Sequence, residues 1–568
     1  VIFNMPELLL NQNGVYLDGA SAWVPRFKRY PLFTFELQVE APSGWEIISQ
    51  GKRESIDGKY RFDMPQLQDD IYLLGAAYRR FSIDHEGIEI AAYLLEDDAE
   101  LADRYLQASA EYLRVYSDWI GPYPYAKFAI VENRWQTGYG MPSFTLLGSR
   151  VIRLPFILHT SLPHEILHNW WGNGVYIDIS HGNWSEGLTA YMSDHFSDEM
   201  KGKDSAYRRK ALERYANFAA QERDFALADF RTRHDEASQA VGYSKSMMLF
   251  HMLKTLAGDE VFNLRIKQLW QQYQFTSASF PDVILQLHPG NREEYEAFIE
   301  QWLYRQGAPE LSLGEVAMSE LENAYQLTDE ISQKQPGPAY SLQVPLDVVL
   351  EGGQQPVRRL ISLSEKKHAV TLTFEQRPRA IKLDPDFDVF RLLHAQERPS
   401  SFGRMFGASR QILVIPTNAT TEQTAAWRQL ADAWSRRFKN VELVNGAALK
   451  QLPEDSAVWL LGWNNDLLAD YRPRFSSATQ QLFEATAMVD NESFHAPDHA
   501  VVLLDPDNKR TPLGFLGADN PETISALARK LPHYSSYGRL VFSGSDANNS
   551  LKHYLPVVMS PMQRRLTD

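Results

Sequence analysis

The segment His164-Glu165-Ile166-Leu167-His168 sets two imidazoles four residues apart. On a helix that spacing places both on one face, within reach of a single ion. Ser161 reads as an N-cap and Pro163 as a first-turn residue, so a helix is expected to start there. Zinc takes histidine nitrogen readily, and a catalytic zinc site leaves one of its four positions to water. Glu165 is adjacent in sequence but turned off the ligand axis, where it could hold that water and accept its proton as a general base. This is the HExxH pattern. Its bland alternative is a helix carrying two packed or solvated histidines.

A carboxylate follows at the right kind of place. In Asn183-Trp184-Ser185-Glu186-Gly187-Leu188-Thr189-Ala190-Tyr191, Ser185 and Glu186 open a second expected helix, with Leu188, Tyr191, Met192 and Phe196 spaced to face a core. A first-turn carboxylate is held in its charged form by the helix dipole, and the charged form is what a metal ligand must be. Alone, Glu186 would read as an ordinary surface glutamate. Beside HExxH it completes a set of three ligands, His164, His168 and Glu186, for one Zn2+ per chain. His159, His181, His195 and His234 flank the motif and read as structural or solvent-facing.

These residues need a scaffold, and the pattern around them supplies one. Strict alternation in Phe33-Thr34-Phe35-Glu36-Leu37-Gln38-Val39-Glu40 marks a strand with one buried face, and turn residues punctuate the rest of residues 1–95. A helical period carried by Leu101, Tyr105, Ala108, Tyr112 and Leu113 then takes over and dominates to about residue 305, interrupted by a strand at Phe128 to Val131 that enters a Gly-rich segment. Gln335-Pro336-Gly337-Pro338 reads as a linker before alternating segments of a small β-sandwich, residues 335–398. Beyond it, apolar strand runs at Ile412 to Ile415, Val458 to Leu461, Val501 to Leu504 and Leu540 to Phe542 alternate with helices. One of those helices carries Trp427, Leu430, Trp434 and Phe438 on a single face. Residues 408–568 therefore read as an α/β layer domain, with neither a GxGxxG nor a P-loop.

Composition narrows the classes further. A chain of 568 residues exceeds one hydrophobic core. A net charge of -15 argues against nucleic acid or an anionic membrane as partner. The absence of cysteine excludes disulfides, thiolate metal sites and cysteine nucleophiles. No apolar run approaches the roughly 20 residues of a transmembrane helix. The chain starts with Val1, as a mature form with a leader removed would; a soluble cell-envelope, periplasmic or cytoplasmic setting fits equally, and the oligomeric state is left open.

With the motifs on the page, the chain resembles the aminopeptidase N family of gluzincin zinc peptidases. The likeness rests on Gly121-Pro122-Tyr123-Pro124-Tyr125 (GPYPY), Trp171-Gly172-Asn173 after the second histidine, Glu186-Gly187, Tyr243-Ser244-Lys245-Ser246, and Asp384-Pro385-Asp386, over roughly residues 14 to 397. With the pattern above it gives a multidomain α+β chain: an N-terminal β domain (1–95), a thermolysin-like, mainly helical catalytic domain (96–330), the small β-sandwich (335–398) and the α/β domain (408–568), which does not resemble the family's long helical C-terminal domain and whose role stays open. It implies peptide substrates, with Tyr243 donating to the oxyanion opposite zinc and the strand Gly138-Tyr139-Gly140-Met141 binding substrate by β-addition.

Three departures qualify it. The spacing from His168 to Glu186 is one residue shorter than the family's. Lys245-Ser246 replaces Lys-Gly, read as a packing difference. Most consequentially, the GAMEN glutamate that binds a substrate's free ammonium has no counterpart in Gly138-Tyr139-Gly140-Met141-Pro142-Ser143, and Glu132 lies six residues upstream of Gly138, too far to assume as a substitute. The expected function is zinc-dependent peptide-bond hydrolysis of the aminopeptidase type. Its alternatives are an oligopeptidase or endopeptidase without amine selection, and a binding or scaffold protein on a peptidase fold.

Overall fold

The computed structural model describes residues 7–25, 32–136, 138–220, 223–438, 440–449, 451–507, 510–557 and 560–566. It divides into two compact units, Val1–Tyr207 with Phe225–Thr232 and Lys245–Gln306, and Arg208–Asp224 with Arg233–Ser244 and Gly307–Asp568. The chain is mixed helix and sheet throughout.

In the first unit the alternating segment forms the strand Phe33–Glu40, antiparallel to Lys59–Gln68, with Leu37 opposite Phe62 and Val39 opposite Tyr60. Phe62 and Tyr60 are buried, so the apolar side of the alternation faces the core. The sheet that carries the site has five strands: β1 (Arg79–His85), β2 (Ile88–Leu94), β3 (Lys127–Asn133), β4 (Gly138–Met141) and β5 (Phe144–Gly148). Their order is β4-β5-β3-β2-β1, so β4 ends the sheet and pairs with β5 alone among the described residues. Because β1 pairs with β2 and β2 with β3, this sheet runs across residue 95, and the boundary expected there falls inside one hydrogen-bonded layer. Helix α1 (Ala99–Trp119) follows, burying Leu101, Tyr105, Leu113 and Tyr116.

The second unit holds two four-stranded sheets and a larger layer. Leu311–Leu313, Ala317–Leu321 and Ala324–Gln333 join Lys367–Phe374 in one sheet, so strand pairing begins well before the linker at 335. The other contains Val357–Leu363, Leu342–Leu350, Pro378–Leu383 and, at its edge, Gln563–Arg565. The last strand therefore returns to the sheet that the chain left at Leu383. Between them, a seven-stranded sheet places Val441–Asn445, Gln411–Ile415, Ala457–Leu461 and Leu513–Gly517 parallel, then His499–Leu504, Arg539–Ser543 and Asn548–His553 antiparallel. One face packs on Trp427, Leu430 and Trp434, the apolar stripe of the helix Thr421–Ser435; Phe438, expected on the same helix, lies beyond its end and joins the cluster from there. A second apolar cluster, including Val414, Leu460, Phe475 and Phe515, forms a separate core.

Candidate metal centre

Helix α2 (Ser161–Leu167) is short. Thr160 stands at its N-cap with its hydroxyl turned back to Phe156 O and no capping bond to the helix, so Ser161 is the first helical residue and not the cap expected of it. Pro163 lies in the first turn, where a missing N–H leaves no bond unmade. His168 is the helix's C-cap, with its N–H still directed at His164 O. The two rings lie 4.9 Å apart between centroids.

Helix α3 (Ser185–Ala190) delivers Glu186 from its first turn, as expected. Its Oε2 lies 3.5 Å from His164 Nε2 and 3.6 Å from His168 Nε2. Ligands about 2.1 Å from a tetrahedral ion are about 3.4 Å from one another, so the spacing suits zinc. These three residues form the one cluster of potential metal donors among the described residues. Glu186 Oε2 is buried with no hydrogen-bond partner, a costly position for a charged oxygen unless a cation faces it. The donor set, two imidazole nitrogens and a carboxylate, fits zinc chemistry.

The outer ring nitrogens are held in the opposite direction. His164 Nδ1 donates to Asp194 Oδ2 at 3.0 Å, and His168 Nδ1 donates to Trp171 O at 2.9 Å. Each bond selects the tautomer whose Nε2 lone pair points inward, as metal-binding histidines require. Ser185 Oγ donates to the same Trp171 carbonyl at 2.7 Å. Burial alone would raise the Glu186 pKa, but the two imidazoles outweigh it and hold the carboxyl well below its ordinary range. Burial opposes charge on both histidines, yet Asp194 and Glu186 lift His164, and Glu186 lifts His168.

Glu165 is buried, and desolvation raises its pKa against the pull of both histidines. Strand β4 lies directly over it. A Cβ built on Gly138 would come within 2.9 Å of Glu165 Oε1, and one on Gly140 within 3.0 Å of Oε2 and of His168 Cβ. Alternate residues of a strand share a face, so the two glycines open one face of β4 to the carboxylate. On the other side Met141 is buried, and Tyr139 packs with Trp135 against an apolar cluster that includes Tyr16 and Met141. Asn173 Nδ2 donates to Gly140 O at 3.3 Å, tying the segment after His168 to β4.

Ser246 explains Gly187. A Cβ there would lie 1.8 Å from Ser246 Oγ, because α3 and the helix Ser246–Ala257 approach closely at that point. The serine that departs from the family pattern is thus a direct packing partner of the Glu-Gly pair. Tyr243 stands in a π-helical turn, Ala240–Lys245, and belongs to the second unit. Glu132 is already committed: Oε2 accepts from Leu95 N at 2.8 Å and Oε1 from Arg153 Nη1 at 2.5 Å. Pro142 occupies the place of the family's amine-binding glutamate, and Ser143 beside it is buried. Asp194 has no signal in the sequence, because HExxH spacing specifies ligands and not what orients them; nor do the bond from Ser185 to Trp171 O and the placing of Gly138 and Gly140 over Glu165, although all three residues are expected near the site for other reasons.

Residues 158–302 match the model of the peptidase family M1 domain. The chain is 25% identical over 248 residues to an alanine/arginine aminopeptidase of Saccharomyces cerevisiae, covering 40% of this chain and 29% of that protein. It is 23% identical over 426 residues to human aminopeptidase RNPEPL1, covering 66% of this chain and 58% of that one. In each case the match spans less than two thirds of the relative's length. Residues 158–302, which carry His164, Glu165, His168, Glu186 and Tyr243, match a peptidase family M1 domain, and the chain's likeness is to the aminopeptidase N family.

Proposed function

We propose that this chain is a zinc-dependent peptidase in which His164, His168 and Glu186 hold one Zn2+ and Glu165 is the general base. The observation that carries the reading is the convergence of three half-buried donors beside a second carboxylate, the buried Glu165, that lies under an edge strand. When bound, zinc supplies a Lewis acid that polarises the scissile carbonyl and makes its water acidic enough to react near neutral pH. Glu165 would take the proton from that water and pass it to the leaving amine; its burial keeps the carboxylate basic enough for the task. As the end strand of its sheet, β4 (Gly138, Tyr139, Gly140 and Met141) would take an extended peptide by strand addition. Tyr243, carried over from the family pattern, would donate its hydroxyl to the oxyanion of the cleaved bond. The supporting architecture we read as four parts: an N-terminal β region, a thermolysin-like helical domain, a small β-sandwich and an α/β layer. The sandwich begins at Leu311 and is completed by Gln563–Arg565.

One observation favours a second specificity. Pro142 replaces the amine-binding glutamate and Glu132 is tied to Arg153 and Leu95, so neither supplies the charge that would favour a free N-terminus. Oligopeptidase or endopeptidase cleavage is therefore the second reading. A peptide set with free and acetylated N-termini separates them: strong preference for free ends supports the aminopeptidase, and equal cleavage supports the alternative. Purified protein that takes up no stoichiometric zinc would sink the metal assignment. Zinc-loaded protein that cuts nothing would favour a binding role.

A further inference from the structure

Asp194 is the eighth residue after Glu186, and an unbroken α-helix does not put positions eight apart on one side. At 100° per residue they diverge by about 80°. Yet Glu186 faces His164 Nε2 while Asp194 receives Nδ1 of the same ring. The helix achieves this by changing its pitch. Ser185–Ala190 is α-helical, Tyr191–His195 is π-helical, and Phe196–Glu199 is α-helical again. The Phe196 N–H points to Tyr191 O, five residues back. With roughly 4.4 residues per turn in the π segment, Asp194 lands only about 10° from Glu186. Ser193 steadies the wider turn, its Oγ donating to Thr189 O at 2.7 Å.

We propose that this π turn is a register device for the metal centre, and that Asp194 is a positioning residue that fixes the tautomer and orientation of His164 for zinc. The proposal rests on the zinc assignment above. One extra residue, absorbed as a π turn, keeps both carboxylates on the face of His164 and leaves the helix on either side in its own packing. Tyr191 and Met192, within the turn, stay buried. Asp194 is itself only partly exposed, at 26% of its side chain, so its charge acts on the imidazole through limited solvent.

The geometry makes opposite forecasts for a substitution and a deletion. Asp194→Ala removes the carboxylate and should weaken zinc binding about 10–100-fold in a chelator competition. Asp194→Asn keeps an acceptor for Nδ1–H and should recover part of that loss, which a merely structural role would not produce. Deleting Ser193 should let the segment relax to α-helix with Asp194 seven residues after Glu186, about 20° away, and zinc affinity should stay within a few-fold of the parent. Zinc content and affinity are measured on the full chain, with circular dichroism and thermal melts of the metal-free protein alongside. Undiminished affinity in Asp194→Ala would overturn the positioning role. A folded deletion variant that loses zinc would overturn the register argument. Failure of the parent to bind zinc would count against the metal assignment itself, which keeps the two readings separable.

Discussion

Two clusters of charge-bearing side chains, one fully buried and one half-buried, are built on opposite plans. In the second unit Arg391, at 1% exposure, is closed in on all sides: Nε donates to Asp384 Oδ2 at 2.7 Å, and Nη1 and Nη2 donate to the two oxygens of Glu397 at 2.8 and 2.9 Å. The remaining acceptor sites are taken by backbone N–H groups of Asp388 and His394 and by the Ser560 hydroxyl. Burial would raise Glu397, but the guanidinium outweighs it and holds the carboxyl low. In the first unit, the inner atoms of His164, His168 and Glu186 converge on a point, while the outer nitrogens of the two histidines are satisfied by protein. A cluster whose donors and acceptors close on one another is architecture. A cluster whose satisfied atoms all face outward is prepared for something not made of protein.

The largest effect should fall on the open cluster. Glu165→Gln removes the base yet keeps the volume and every proposed metal ligand, so peptide cleavage should fall by about 10²–10⁴ with zinc stoichiometry unchanged. Cleavage at wild-type rate would reject Glu165 as base. His168→Ala should instead lose the metal, read directly as zinc per chain after dialysis. The closed cluster should answer in stability alone. Arg391→Met leaves two buried carboxylates without their cation, which costs about 3–5 kcal/mol. Urea unfolding should show it, and zinc affinity of the folded protein should not move. A zinc effect as large as that of His168→Ala would erase the contrast between the two plans.

How much of this could be read from sequence differs by the range of the interaction involved. His164, His168 and Glu186 were legible because ligand geometry imposes a local spacing, and the strand at Phe33–Glu40 because alternation is local too. Strands such as Gln563–Arg565, or Leu311–Leu313 before the linker, are short and acquire meaning only through partners far away in the chain, Pro378–Leu383 and Ala324–Gln333. The π turn is worse still for pattern reading: a helical wheel drawn at 100° turns Asp194 away from the site. The family pattern gave Tyr243 a role that local spacing could not, and it exposed Pro142 as a departure.

A smaller effect tests the packing that aims Glu186. Gly187→Ala forces a Cβ into Ser246 Oγ, and overpacking of this kind costs about 1–3 kcal/mol. Since Glu186 precedes the collision, zinc affinity should fall with stability. Ser246→Gly in the same chain should restore both, giving a strongly non-additive double-mutant cycle. Additive losses would mean that the two helices do not meet as described.

Lys127 shows a third way to bury a basic group, and the gentlest prediction concerns it. It is 2% exposed, and its Nζ donates to Ser143 Oγ at 2.9 Å, with no carboxylate among its ion-pair contacts in the described residues. Burial, with a lesser push from Arg53, brings its pKa down from 10.5 to about 7. Arg391 keeps its charge because two carboxylates face it; Lys127 sheds its own. The sign for stability follows from proton counts. Between about pH 7 and 10.5 the unfolded chain holds a proton on Lys127 that the folded chain has released, so raising the pH across that window stabilises the fold by up to ~1.4 kcal/mol per unit. Below about pH 7 both states are protonated and the penalty is at its full value. Lys127→Met should flatten this part of the urea-midpoint profile and be at least as stable as the parent at neutral pH. The lysine also bonds the serine that follows β4, whose backbone N–H donates to Asn169 Oδ1 at 2.8 Å, so the variant's peptide KM should rise more than its kcat falls. An unchanged pH profile in Lys127→Met would mean that the amine stays charged inside the fold, and Lys127 would then belong with Arg391 and not apart from it.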